Sequence, residues 1–225
     1  MTGFLIRLGA LLFFLGCAGS PRGHRSETRE TTEHGKPKDA PPGKQVETIE
    51  MRHQILFSGA NREDVFEGTM ILSEDAFVVR AFAGPGVSLF TVARHGNRRR
   101  DVLHIDGLSD RIDVVRIGDD INRIYLVGCD GASPPGERTC EVDGERIVEH
   151  FDEHGDLAVK AFPDAHGIGL HIVYEGYSDQ VGRRLPRRIT LEWGGTNNRM
   201  VILTTEVARG ADDALERVEA VLSGE

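Results

Sequence analysis

Positive charge is in deficit in this sequence: 27 Lys and Arg stand against 36 Asp and Glu, a formal charge of -9 and a pI near 5.5. Phosphate backbones are held by clustered cations, and no basic stripe with interleaved aromatics occurs, so nucleic acid is excluded as a partner. No apolar run approaches the ~20 residues that a spanning helix needs. Cysteine is scarce, at Cys17, Cys129 and Cys140 only, and aromatics make up 6% of the chain. What is present is an ordinary apolar fraction of 39% over 225 residues, enough for one packed domain with appendages.

Arg7 followed by an apolar run from Leu8 to Leu15 and then Gly16 has the shape of a secretory signal. Phe14-Leu15-Gly16-Cys17 resembles the bacterial lipobox. That resemblance implies a signal peptide over 1–16, lipid on Cys17 as the mature N-terminus and, with Ala18 next, sorting to the outer membrane with the domain facing the periplasm. Residues 17–44 hold almost no large apolar side chain and several prolines, and read as a disordered tether with an end-to-end distance on the order of 30 Å. In an oxidising compartment the remaining pair, Cys129 and Cys140, reads as a disulfide closing a Gly/Pro-rich loop, at about 3 kcal/mol on the chain-entropy model.

From 45 to 225 the pattern is mainly that of strands. Ile49, Met51, Ile55 and Phe57 alternate with Glu50, Arg52 and Gln54. DVFEGTMILS, AFVVRAFA, GVSLFTVAR and DVLHIDG follow with short turns between them. After the cysteine loop come ERIVEHFDE, DLAVKAFPD, GIGLHIVYEGY, RRITLEWGG and RMVILTTEV. Asp119 to Leu126 reads as a helix, with Ile117, Ile121, Ile124 and Tyr125 on one face, and Leu215, Val218 and Leu222 mark a terminal one. The expected fold is mainly β (α+β): eight to ten antiparallel strands in a large curved sheet or half-open β-barrel, covered by a mid-chain helix and a C-terminal helix.

Three stretches resemble the outer-membrane lipoprotein receptor LolB and the wider LolA/LolB-like superfamily, uncharacterised lipoproteins included. They are AFVVRAFAGPGVSLFTVARHG, the short amphipathic DDINRIYLVG, and IVYEGYSDQVGRRLPRRITLEWGGTNNRMVIL. The resemblance implies a half-barrel closed by helices that takes up acyl chains or lipoproteins. In its protruding loop, Pro85, Gly86 and Val87 would meet a membrane or partner. The family pattern places a Leu between Pro and Gly, and here Pro85 and Gly86 are adjacent.

Apart from the resemblance, a curved sheet lined by Phe57, Met70, Phe77, Val79, Leu89, Ile121, Tyr125, Tyr174 and Trp193 would bind two or three acyl chains by burial alone, at ~0.8 kcal/mol per methylene. The competing reading has the same residues filling a closed core. Catalysis is not expected. His150, Glu153 and His154 spell an inverted zinc-protease motif, but alternation places them on a strand and a turn, so no metal or other cofactor is expected. Arg98, Arg99 and Arg100, and Arg183, Arg184, Arg187 and Arg188, are expected in loops as solvated charges or contacts for anionic lipid. Two functions remain: an outer-membrane lipoprotein that binds acyl chains or lipoproteins in their delivery, and a non-catalytic envelope scaffold with a closed core.

Overall fold

A computed structural model describes residues 47–59, 62–107, 112–131, 135–166 and 169–224. The expected signal peptide, Cys17 and tether lie outside them. In chain order the elements are β1 (Ile49–Gly59), β2 (Arg62–Leu72), β3 (Ala76–Gly84), β4 (Val87–His95), β5 (Arg98–Leu103), α1 (Val114–Tyr125), β6 (Gly136–Val142), β7 (Glu145–Phe151), β8 (Leu157–Phe162), β9 (Leu170–Glu175), β10 (Ser178–Gln180), β11 (Arg183–Leu185), β12 (Arg188–Trp193), β13 (Arg199–Arg209) and α2 (Ala214–Ser223).

Eleven strands form one antiparallel sheet in the order β5-β4-β3-β2-β1-β13-β12-β9-β8-β7-β6. The chain starts at the centre, meanders outward to β5, crosses through α1 to the opposite edge and meanders back until β13 pairs with β1. The sheet is not closed: β5 and β6 are its two edges. A disulfide between Cys129 and Cys140 ties the exit of α1 to β6.

Each helix covers one face. Phe77, Val79 and Val92 pack in one cluster with Val114 and Ile121 of α1, whereas Ala76, Val78 and Ala93 pack with Ala214, Val218 and Val221 of α2. Period two sends successive β3 residues to opposite faces, and both faces are covered there, so AFVV is apolar without interruption. Further round, β7 is covered on one face only and alternates, with Ile147, Glu149 and Phe151 inward.

Several boundaries differ from the sequence reading. The helix begins at Val114, five residues before the acidic pair, because Asp113 caps it by accepting the Arg116 N–H at 3.0 Å. Gly118 within it is required by space, since a Cβ there would meet the guanidinium of Arg94. Three strands lie where loops are expected: β6, a polar edge strand, and the β10-β11 hairpin. The turn of that hairpin, Val181-Gly182, has φ of 47° and 83°. A β-branched residue in this region is costly, so Val181 is an unusual hairpin signal; it is held by packing against the β1–β4 core.

The arginine clusters are also corrected. Arg98 to Arg100 lie in β5, Arg183 and Arg184 in β11, and Arg188 in β12. Most carry partners: Arg98 pairs with Glu219, Arg99 with Asp101, Arg183 with Glu47, Arg184 with Asp156 and Arg188 with Glu175. Arg187 donates to Ser178 Oγ at 3.2 Å. His150 lies on the solvent side of β7 and His154 in the turn after it, so the two are not one helical turn apart. Among the described residues no group of three or more His, Cys, Asp or Glu is placed to hold a metal, and no helix is long and apolar enough to cross a membrane.

Candidate functional site

A partly open cleft of about 270 Å³ lies between the N-terminal half of α1 and the inner face of the sheet. The strands contribute Ile55, Phe57, Phe66, Leu89, Phe90, Met200 and Ile202, and the helix side contributes Ile112, Ile117 and Ile121. These side chains meet through register: Ile55 sits opposite Phe66 and Ile202, and Phe57 opposite Met200. Trp193 forms one wall, tilted against Phe57 with 6.2 Å between ring centroids. Asp64, Asp113, Arg116, Asp120 and Asn198 supply the polar atoms.

Two polar clusters fix α1 over the sheet. Near its middle, Asp120 is 2% exposed and accepts Trp193 Nε1–H at 3.0 Å and Arg123 Nη1–H at 3.3 Å. Burial pushes the Asp120 carboxyl above the usual carboxylate range, against the opposing effects of Trp193, Arg123 and Arg116. Arg116 stacks over the Trp193 ring at 5.1 Å. At the C-terminal end, Lys160 Nζ donates to the carbonyls of Arg123, Ile124 and Val127 at 3.1, 3.4 and 2.6 Å, and Tyr174 OH donates to Ile124 at 2.9 Å. An ammonium here satisfies carbonyls that a helix end leaves open and complements its dipole. Lys160 is buried with Glu149, 3.9 Å away, and Glu149 in turn accepts from Arg138 at 2.6 Å. Burial lowers the Lys160 ammonium to about 8, against the opposing charge of Glu149.

The expected ligand-lining residues divide. Phe57, Leu89, Ile121 and Trp193 line the cleft. Met70, Phe77 and Val79 fill the core on the β1–β4 side, Tyr174 fills the other half, and Tyr125 packs against both. Pro85 and Gly86 form the β3–β4 turn, with Gly86 at φ 78°, and Val87 beside them is 48% exposed. Met200, read from the sequence as a side chain that adapts to chain shape, also lines the cleft, and Asp120, read as part of a helix start, faces it; Phe66, Phe90 and Arg116 belong to the site without having been singled out in the sequence. Phe66 and Met200 become neighbours of Ile55 and Phe57 only once register is known.

No protein-family model matches this sequence, and no curated protein does. Solved structures do show similar backbones. A LolA superfamily protein from Nitrosomonas europaea is similar at TM-score 0.49 and 13% identity, over 74% of this chain and 87% of that one. A domain from Vibrio parahaemolyticus described as an outer membrane lipoprotein-sorting protein is similar at TM-score 0.48 and 10% identity, over 78% and 92%. MucB in complex with MucA from Pseudomonas aeruginosa gives TM-score 0.33 and 14% identity over 77% of this chain and 56% of that one. All three similarities are distant.

Proposed function

We propose that this chain is an outer-membrane lipoprotein, lipidated on Cys17 and facing the periplasm, that binds a hydrophobic chain in the cleft beneath α1 and takes part in lipid or lipoprotein delivery. The observation that carries the binding role is the cleft itself: eleven apolar side chains around a space left unfilled between helix and sheet. A scaffold with a closed core has no use for that space. At ~30 Å³ per water-sized group, each about the size of a methylene, the cleft holds about nine such groups. Their burial is worth roughly 7 kcal/mol before the cost of association, so binding is micromolar at best.

The test uses the chain with Cys17→Ala, which carries no lipid of its own, and an environment-sensitive fluorescent fatty acid. Saturable enhancement is expected, with Ile121→Trp, which fills the cleft from α1, weakening it at least tenfold while circular dichroism is unchanged. A probe that gives no enhancement, or binds Ile121→Trp equally well, overturns the reading.

A further inference from the structure

α2 covers one end of the sheet's outer face, packing on Ile71, Ala76, Val78 and Ala93 of β2, β3 and β4. From β2 across to β8 the same face carries an apolar row of its own. Register sets Val65 opposite Leu56, Leu56 opposite Val201, Val201 opposite Thr190, Thr190 opposite Val173 and Val173 opposite Val159, in one line over six adjacent strands. Alternation points all six away from the cleft, and none belongs to a core cluster. At ~4.8 Å between strands the line is about 24 Å long. Val65 at its end is 54% exposed, and Thr190, already shielded by its neighbours, forms the floor. The ion pairs Glu192–Arg199 and Arg188–Glu175 flank the row on either side. An apolar row with a charged rim marks an interaction surface. Residues 18–44 contain no Val, Ile, Leu, Met, Phe, Trp or Tyr, so the tether has nothing to bury there.

We infer that this face joins two copies of the chain in a weak two-fold dimer, because the row is complementary to itself. A two-fold axis parallel to the strands, between β12 and β13, lays β12 on β13, β9 on β1 and β8 on β2 of the second copy. Thr190 then meets Val201, Val173 meets Leu56 and Val159 meets Val65, and each contact is made twice. The flanking rows agree with the same axis. Glu192 of each copy faces Arg199 of the other, Arg188 faces Leu203 and Glu175 faces Gln54, so no two like charges are brought together. Six strands with three outward residues each make a patch on the order of 600 Å², about 1,200 Å² for the pair, which is the lower limit of a specific interface. The dimer is independent of the cleft, which opens on the opposite face.

The test is sedimentation equilibrium of the mature chain, residues 17–225 with Cys17→Ala so that no lipid drives association. Between about 1 and 300 µM a monomer–dimer equilibrium is expected, with Kd on the order of 10 to 100 µM. Val173→Lys and Leu56→Glu should each weaken it at least tenfold, since each sets a charge against an apolar side chain of the second copy. Mixed in equal amounts, the two variants should associate again. The new lysine of one copy then meets the new glutamate of the other, and the reciprocal contact is the native Val173 on Leu56. Recovery on mixing also shows that both variants are folded. A parent that stays monomeric at the highest concentration overturns the inference and leaves the face to a different protein. Variants that associate as the parent does, or a mixture no stronger than its components, overturn it too.

Discussion

His53 occupies the middle of β1, 5% exposed, facing Gly68 on β2 and Thr204 on β13. Its Nδ1 lies 3.4 Å from Thr204 Oγ1, and its Nε2 has no hydrogen-bond partner. Burial lowers its pKa from 6.5 to about 4, so the folded protein holds it neutral where an unfolded chain protonates it. The stability it contributes is complete above pH 6.5 and is lost as pH falls from 6.5 towards 4, roughly 3 kcal/mol over that window. His53→Leu keeps the burial and removes the proton. Urea unfolding of both proteins at pH 7.5 and 4.5 should show the variant losing less stability on acidification; equal losses in the two would refute this account of His53. The alternation of β1 shows that His53 shares a face with Met51 and Ile55. That no partner reaches its Nε2 depends on three strands at once.

At the scale of elements, α1 is held by groups from the far half of the chain. Lys160 closes its last carbonyls and faces Glu149, so Lys160→Met leaves those carbonyls and a buried carboxylate short of a partner. Removing one member of such a cluster costs about 3 kcal/mol or more. The lowered pKa of Lys160 means that the unfolded chain binds more protons between pH 8 and 10.5, so this group makes stability rise with pH across that window. Lys160→Met should therefore be less stable at pH 7 and lack that rise. A thermal unfolding series from pH 7 to 10.5 decides it, and a variant as stable as the parent at pH 7 would sink the capping role. The strands of the β1–β4 meander are legible because Ile49 to Phe57 alternate and SED and GPG punctuate. Period two also places Glu149 between Ile147 and Phe151, and Lys160 two residues before Phe162, which is a readable sign of buried charge on neighbouring strands. Their union beneath a helix is not readable, because it needs the crossover that puts β8 under the end of α1. Asp143-Gly144, both at positive φ, is a strong hairpin signal, yet β6 before it is polar enough to pass for loop. The cleft was half legible: Phe57 and Trp193 announce themselves by size, while Phe66 and Met200 depend on pairing, and Asp120 and Arg116 on a helix that starts earlier than its acidic pair suggests.

For the whole molecule, the order of strands sets which part opens first. β1 and β13 come from opposite ends of the domain, and their pairing joins the two meanders at the centre of the sheet. Each has a neighbour on both sides, and β12 beside them buries Ile189, Thr190 and Leu191 in succession. By contrast β6 has a partner on one side only, and β10-β11 stands apart as a two-stranded ribbon with three residues per strand. Local opening requires little at the edges, whereas exposing the β1–β13 ladder requires separating the two halves and disrupting the core under α1. Native-state hydrogen exchange should therefore find the slowest amides in β1, β12 and β13 and the fastest strand amides in β6, β10 and β11. Val201→Pro, which removes a backbone donor in the central strand opposite Leu56, should cost at least about 3 kcal/mol and release both meanders together. If instead one meander keeps its protection while the other exchanges freely, the halves fold independently and the β1–β13 seam is a junction between two stable units, not the centre of one.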